Sequence, residues 1–248
     1  MANYYCILFD ADNTLLDFDA AENKALLETL QHYDLPTEAA VMETYRQVNS
    51  SLWAALERGE IRREKLMSER FARFLKAIGR EAKGNKGAEM NQYYLDRLAS
   101  HPDLMPQALE ALRELAEVAT LAVATNGFQR VQMQRSQESG IAQYMEEIFV
   151  SEKLGCDKPD RKFFDVALRQ LGVENRQRVL VVGDSLNSDI KGGINAGLDT
   201  CWYNPAGKQN RSGITPTYEI SSLTELYNIV MEQEELDNVG IKNRKHSL

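Results

Sequence analysis

Apolar runs and apolar stripes divide this chain into two kinds of territory. Ile7-Leu8-Phe9 is a short apolar run within a predicted first strand over residues 5–10, the pattern of a strand buried on both faces. From Asp19 to Leu98 such runs give way to apolar residues at helical spacing: Ala25, Leu26 and Leu30, then Val41, Tyr45, Val48 and Leu52, then Leu66, Phe71, Phe74, Leu75 and Ile78. Asp19 is a candidate N-cap for the first of these helices. The polar stretch 79–87, with three glycines, predicts a loop between helices. Beyond 107 strand and helix patterns alternate. Helix is predicted over 108–117, strand over 120–124, helix to Ser139, strand over 148–150 and helix from Pro159 to Leu171. Strand over 178–182, helix over 188–196, strand over 199–203 and a last helix over 223–235 complete the pattern.

Strands alternating with helices predict βαβ units and a parallel sheet. The fold class is α/β: a doubly wound, Rossmann-like parallel sheet with an inserted helical domain. Residues 1–16 and 100–236 would form the α/β core, 17–99 the helical insertion, and 237–248 a polar, flexible tail. An insertion just after the first strand hangs over the carboxyl ends of the strands, the edge where open α/β sheets place their sites. It would act as a cap.

Composition narrows the function classes. The 43% hydrophobic and 27% charged residues are ordinary for a globular protein, and 29 basic against 37 acidic residues leave a net charge of −8. That balance disfavours nucleic acid and anionic membranes as partners, though a bound cation and one lysine can invert the field locally. Cys6, Cys156 and Cys201 are too scattered for a disulfide framework or a zinc site. No stretch approaches the roughly 18 apolar residues of a membrane span. Met1-Ala2-Asn3-Tyr4-Tyr5 lacks the basic region of a signal peptide, so a cytoplasmic location is expected.

Four polar sets carry the candidate chemistry. Asp10 and Asp12 follow the first strand at i, i+2, a spacing that can bring both carboxylates to one mouth. Their repulsion calls for a divalent cation or a shared proton, unless the segment is simply an Asp-rich turn. Thr125-Asn126-Gly127 ends the second strand. It reads either as a turn with a helix cap or as an anion site of backbone N–H groups and a hydroxyl. Lys158-Pro159 offers a compact cation suited to phosphate, with Pro159 expected at the first helical position. Gly183-Asp184 follows another apolar strand, and Asp189 comes five residues later, either as a second ligand or as a favourable N-terminal helix charge. Gly192-Gly193 would allow close helix packing. All four sets fall on one edge of one sheet.

The order DxDxT, TNG, KP and GDxxxxD resembles the haloacid dehalogenase-like superfamily across residues 5 to about 230, with the insertion similar to that family's C1-type cap. The resemblance implies that Asp10 is the nucleophile, forming an aspartyl-phosphate. It implies that Asp12 is the general acid/base, that Thr125 and Asn126 bind phosphate, and that Lys158 balances the charge of nucleophile and phosphoryl group. Mg²⁺ would be held by Asp10, the Asp12 backbone carbonyl and Asp184, with Asp189 acting through water. An acid at position 12 favours phosphoryl transfer over dehalogenation, because halide leaves unprotonated. More narrowly, Val48-Asn49-Ser50-Ser51-Leu52-Trp53, Gly59-Glu60-Ile61, Thr125-Asn126-Gly127-Phe128, the run 151–159 and Cys201-Trp202 resemble the YjjG-type pyrimidine 5′-nucleotidases. These dephosphorylate small nucleoside monophosphates such as dUMP, UMP and dTMP. Asn49 and Trp53 lie i, i+4 on one helical face and would meet a base by hydrogen bond and stacking, unless Trp53 packs the helical domain's own core. Two other readings remain: a sugar-phosphate or phosphoglycolate phosphatase or phosphomutase, and an inactive binding module of the same fold.

Overall fold

The computed structural model describes residues 3–231. Six strands, β1 (Cys6–Phe9), β2 (Thr120–Thr125), β3 (Glu147–Val150), β4 (Val179–Gly183), β5 (Asp199–Tyr203) and β6 (Tyr218–Ile220), form one sheet in the order β3-β2-β1-β4-β5-β6. Every neighbouring pair is parallel. The centre is the most apolar part, with Phe9 in register with Val123 on one side and Val182 on the other. Side chains alternate between two buried faces. Ile7, Phe9, Val123 and Val182 enter one core, whereas Cys6, Leu8, Ala122 and Val181 enter another. Two buried faces explain why the strands read as continuous apolar runs.

Between β1 and β2 the chain makes five helices: α1 (Phe18–His32), α2 (Ala39–Glu57), α3 (Arg63–Ala77), α4 (Lys86–Ala99) and α5 (Ala108–Leu115). The first four build a core of their own from Leu26, Tyr45, Phe71, Phe74, Met90 and Tyr94. Its aromatic rings pack tightly, with the Tyr45 and Phe71 centroids 5.2 Å apart. The chain enters and leaves this block side by side. Leu16 pairs antiparallel with Leu104, and the Asp17 N–H donates to the Asp103 carbonyl at 2.9 Å. Five further helices follow: α6 (Gln129–Glu138), α7 (Ser151–Leu154), α8 (Arg161–Gln170), α9 (Lys191–Asn195) and α10 (Leu226–Met231). Helix α8 lays Phe163, Phe164, Ala167 and Leu168 on one sheet face, and α5 lays Ala108, Ala111, Leu112 and Leu115 on the other. Among the described residues no helix is long and apolar enough to cross a membrane.

Several boundaries differ from the sequence pattern. The cap of α1 is Asp17, whose carboxylate accepts from the Ala20 N–H at 2.9 Å, and Asp19 lies in the first turn. Both acids suit a helix N-terminus, and only the backbone path selects between them. Pro159 does not open α8. The Lys158-Pro159 peptide is cis, and Asp160 caps the helix by accepting from the Lys162 N–H. Residues 188–196 divide into a π-helical turn over Leu186–Ile190 followed by α9. Strand β6 was not expected: three residues show too little periodicity, and pairing with β5 makes the strand. Residues 232–235 of the predicted last helix, residue 236 of the predicted core and the tail 237–248 lie outside the described residues.

Glycine at 192 lets α9 approach α8. A Cβ there would sit 2.6 Å from the Phe164 ring and 3.2 Å from the Pro159 Cα. Gly192→Ala is therefore expected to destabilise the protein by about 1–3 kcal/mol, the scale of core overpacking, as a lower urea midpoint. An unchanged midpoint would show that α9 shifts freely.

Candidate active site

The carboxyl ends of the central strands deliver the site residues. The Asp10 N–H donates to the Val182 carbonyl at 2.8 Å, which carries the β1–β4 ladder one residue past the strand and aims Asp10 out of the sheet edge. Thr125 is the last residue of β2, and Asp184 follows β4 directly. Asp189 comes from the π-helical turn and folds back onto Gly183. A Cβ at 183 would lie 2.3 Å from the Asp189 carboxylate, so only glycine admits this return. The Ser185 N–H donates to Asp189 Oδ2 at 3.1 Å and holds it there.

Lys158 joins these pieces. Its side chain is 2% exposed, and Nζ donates to Asp10 Oδ1 at 2.6 Å, Asp189 Oδ1 at 2.6 Å and the Ala124 carbonyl at 2.5 Å. An ammonium has three protons, and here each has an acceptor. Asn126 sets the lysine in place: its amide donates to the Lys158 carbonyl and accepts from the Lys158 N–H, both at 2.9 Å. The Asn126 side chain is thus engaged by the lysine backbone. Thr125 Oγ1 accepts from the Gly127 N–H and from Gln132 Nε2, both at 3.1 Å, which leaves its hydroxyl proton for a ligand.

Asp12 stands apart from this cluster. Its carboxylate accepts from Gln132 Nε2 and from the fully buried Arg135 Nη1, each at 2.5 Å. These two residues of α6 were not among the sequence candidates. On a helix they are an ordinary polar i, i+3 pair, and only the placement of α6 beside β1 turns them onto Asp12.

The electrostatics are those of crowded acids. Carboxylate oxygens of Asp10, Asp184 and Asp189 lie within 4.8 Å of one another. Burial pushes the Asp10 carboxyl well above its usual value; Lys158 opposes the shift, and Asp189, Asp184 and Asp12 add to it. Burial, with the Asp189 charge beside it, pushes Asp184 up to about 7. Burial alone would discharge Lys158, but Asp10 and Asp189 outweigh it and hold the ammonium protonated. One ammonium against three carboxylates leaves two negative charges uncompensated. Oxygen donors with excess negative charge are the donor set of a hard divalent cation, so the residues present fit Mg²⁺.

Above this floor lies a cavity of about 530 Å³, within the range of small-molecule sites. Its opposite wall comes from the helical block and includes Asn49 and Trp53, both on α2, and Arg70 on α3. Asn49 is buried and donates from Nδ2 to Glu22 Oε1 at 3.0 Å. Trp53 packs against the core of the helical block and also lines the cavity. Its ring lies 5.8 Å from that of Phe128, with the Arg63 guanidinium 5.8 Å from its centroid. Arg63 ties the block to the sheet edge. It donates to the Asn126 carbonyl at 3.0 Å and to Ser151 Oγ at 2.5 Å, and it pairs with Asp157.

A lysine-bridged acid cluster at the carboxyl edge of a doubly wound sheet, opening into a substrate-sized cavity, defines an α/β enzyme. The family model for haloacid dehalogenase-like hydrolases matches residues 4–197, and the chain belongs to that family. Pyrimidine 5′-nucleotidase PynA of Streptococcus pneumoniae is 37% identical over 227 residues, covering 90% of this chain and 93% of the relative. Pyrimidine 5′-nucleotidase YjjG of Escherichia coli is 36% identical over 220 residues, covering 89% and 95%. A crystal structure of the HAD-hydrolase YfnB from Bacillus subtilis bound to magnesium superposes with a TM-score of 0.86 at 38% identity, covering 92% of this chain and 99% of that one.

A carboxyl held near 7 in the folded protein binds its proton more tightly than in the unfolded chain. The metal-free protein therefore loses stability from Asp184 as pH rises from about 4 to 7. Mg²⁺ competes with that proton, so the rise in Tm on adding Mg²⁺ is expected to be small at pH 5 and to grow up to pH 8. A rise that does not vary with pH would remove Asp184 from the ligand set.

Proposed function

We propose that this hydrolase is a Mg²⁺-dependent phosphomonoesterase acting on nucleoside 5′-monophosphates with a pyrimidine base. The observation that carries the reading is Asp10, buried and bridged to Lys158, with Asp12 two residues on and the Thr125 hydroxyl free to donate. A carboxylate oxygen of Asp10 attacks phosphorus in line, and the ester P–O bond breaks as protonated Asp12 gives its proton to the leaving oxygen. Asp12 then takes a proton from water as the water oxygen attacks phosphorus. The aspartyl P–O bond breaks and returns the Asp10 carboxylate with free phosphate. The Thr125 hydroxyl and the Lys158 ammonium receive the charge of the transferring group, and the Asn126 amide keeps Lys158 in register. Asp10, Asp184 and the Asp12 main-chain carbonyl would hold Mg²⁺, with Asp189 acting through water; the cation would neutralise phosphoryl charge that Asp10 must approach.

The substrate class is supported by the relatives named pyrimidine 5′-nucleotidases and by the cavity wall. In this reading residues 17–99 form a cap over a core of 1–16 and 100–236, and Asn49 and Trp53 face the nucleoside. Base–aromatic stacking accounts for Trp53.

The decisive test is phosphate release with and without EDTA from dUMP, UMP, dTMP, AMP, a sugar phosphate and p-nitrophenyl phosphate. Preference for pyrimidine monophosphates, lost with chelator, is expected. Preference for the sugar phosphate would keep the chemistry and overturn the nucleotide. Asp10→Asn should lower kcat on the order of 10⁴-fold or more, the scale of nucleophile loss in covalent catalysis, with the circular dichroism spectrum intact; appreciable turnover would exclude Asp10 as nucleophile. Trp53→Ala should raise KM for UMP by about tenfold, as loss of a stacking partner does, and KM for p-nitrophenyl phosphate less. Equal increases would assign Trp53 to packing.

A further inference from the structure

Asp12 is gripped by two residues of α6 that carry no local sequence signal. Gln132 is 1% and Arg135 0% exposed, whereas the Asp12 side chain that they hold is 28% exposed and lines the cavity. The grip is one-sided: buried donors stand behind a carboxylate that stays open to a ligand. Gln132 Nε2 donates to Asp12 Oδ2 at 2.5 Å and to Thr125 Oγ1 at 3.1 Å. Arg135 Nη1 donates to Asp12 Oδ1 at 2.5 Å. Each carboxylate oxygen has its own donor, so both the place and the plane of the group are fixed.

Both donors are themselves anchored. Arg135 Nε donates to the His101 carbonyl at 3.2 Å, and its guanidinium lies 5.9 Å from the Phe18 ring centroid. His101 lies just beyond α4 and Phe18 opens α1, so Arg135 is set against both connections of the helical block. Gln132 fills space that a glycine leaves, since a Cβ at 127 would lie 2.3 Å from its Nε2. Stability alone does not account for this arrangement. Gln132 Oε1 and Arg135 Nη2 are buried without partners, and atoms left so are costly. Folds carry such costs where a group serves function.

Proton transfer is the step that this geometry serves. A carboxyl group has about four lone-pair sites, and the two donors occupy one on each oxygen. The sites left open can carry the proton that the leaving oxygen needs. As the ester P–O bond breaks, that proton passes to the leaving oxygen, and the charge left on Asp12 meets donors already in place. A carboxyl free to turn about its own torsions loses that aim, and misplacement by about 1 Å can cost on the order of 100-fold in rate. We propose that Arg135 and Gln132 are positioning residues for this proton transfer: together they aim Asp12 at the leaving oxygen, and Gln132 registers it against the Thr125 hydroxyl. The proposal rests on the role given to Asp12 in the phosphomonoesterase reading above.

The test compares kcat/KM for phenyl phosphate and p-nitrophenyl phosphate, esters of similar shape whose leaving oxygens differ in their need for a proton. This constant covers the steps up to departure of the leaving group, so the later attack of water does not enter. In Arg135→Met and in Gln132→Met the phenyl ester is expected to slow about 10–100-fold, and the nitrophenyl ester by about threefold or less. Asp12→Asn should show the same split, at least as large. A merely structural role slows both esters alike, so equal losses, or no loss, in both variants would overturn the proposal. A split in one variant alone would keep the role for that residue and remove it from the other. If Arg135→Met does not fold by circular dichroism, Gln132→Met decides, together with Arg135→Lys. That variant keeps a charged donor without the planar fork and should show a smaller split. Equal losses in Asp12→Asn would overturn the acid role of Asp12 and the proposal with it. Failure of the native protein to cleave either ester would overturn the phosphomonoesterase reading itself.

Discussion

The structure depends on one buried ammonium. Lys158 is the shared partner of Asp10 and Asp189, and it lies among strand ends that would otherwise present only carboxylates to one another. A lysine taken out of water at 2% exposure is tolerable only because all three of its protons find acceptors, two of them charged. To supply this cation the chain must bring the loop after α7 back beneath β2. The two hydrogen bonds between the Asn126 amide and the Lys158 backbone hold that loop there. The charge balance is still incomplete, since three carboxylates meet one ammonium. The same incompleteness gives the cluster the donor pattern that fits a hard divalent cation.

Two halves of the cavity divide the physical work. The sheet edge is a place of charge, where Asp10, Lys158, Asp184 and Asp189 sit on rigid strand ends and short turns. The helical block is a place of shape and hydrogen-bond pattern, where an aromatic core holds Glu22, Asn49 and Arg70 in fixed relation. Arg63 spans the two, from α3 to the Asn126 carbonyl, Ser151 and Asp157, so the block is referenced to the loops that place Lys158. Covalently the halves meet where Leu16 and Leu104 run side by side.

The sheet edge was largely legible in the sequence because two of its acids each follow an apolar run with the pattern of a buried strand. Asp10 after Leu8-Phe9 and Asp184 after Val181-Val182-Gly183 mark the same edge without any knowledge of topology. The elements misread are those with weak local signals. Asp17 and Asp19 are equally good caps by chemistry, and β6 is three residues long. Proline at 159 is as compatible with a cis peptide before the cap as with the first helical turn. The roles of Gln132, Arg135, Glu22, Arg63 and Arg70 were invisible for a different reason. Each is a polar residue on a helix, and a polar residue on a helix is ordinarily solvated.

By itself the sequence determined the alternation of strands and helices, the site of the helical insertion, and the four polar sets at strand ends. These follow from local periodicity and from the rule that a parallel strand exposes its carboxyl terminus. Only the tertiary structure decided which of those groups touch: that Asn126 serves the Lys158 backbone, that Arg135 and Gln132 hold Asp12, and that Glu22 takes the amide nitrogen of Asn49. Contacts between residues 27 to 123 positions apart leave no trace in local pattern. They are set by how helices cross and by which buried polar atom finds a partner.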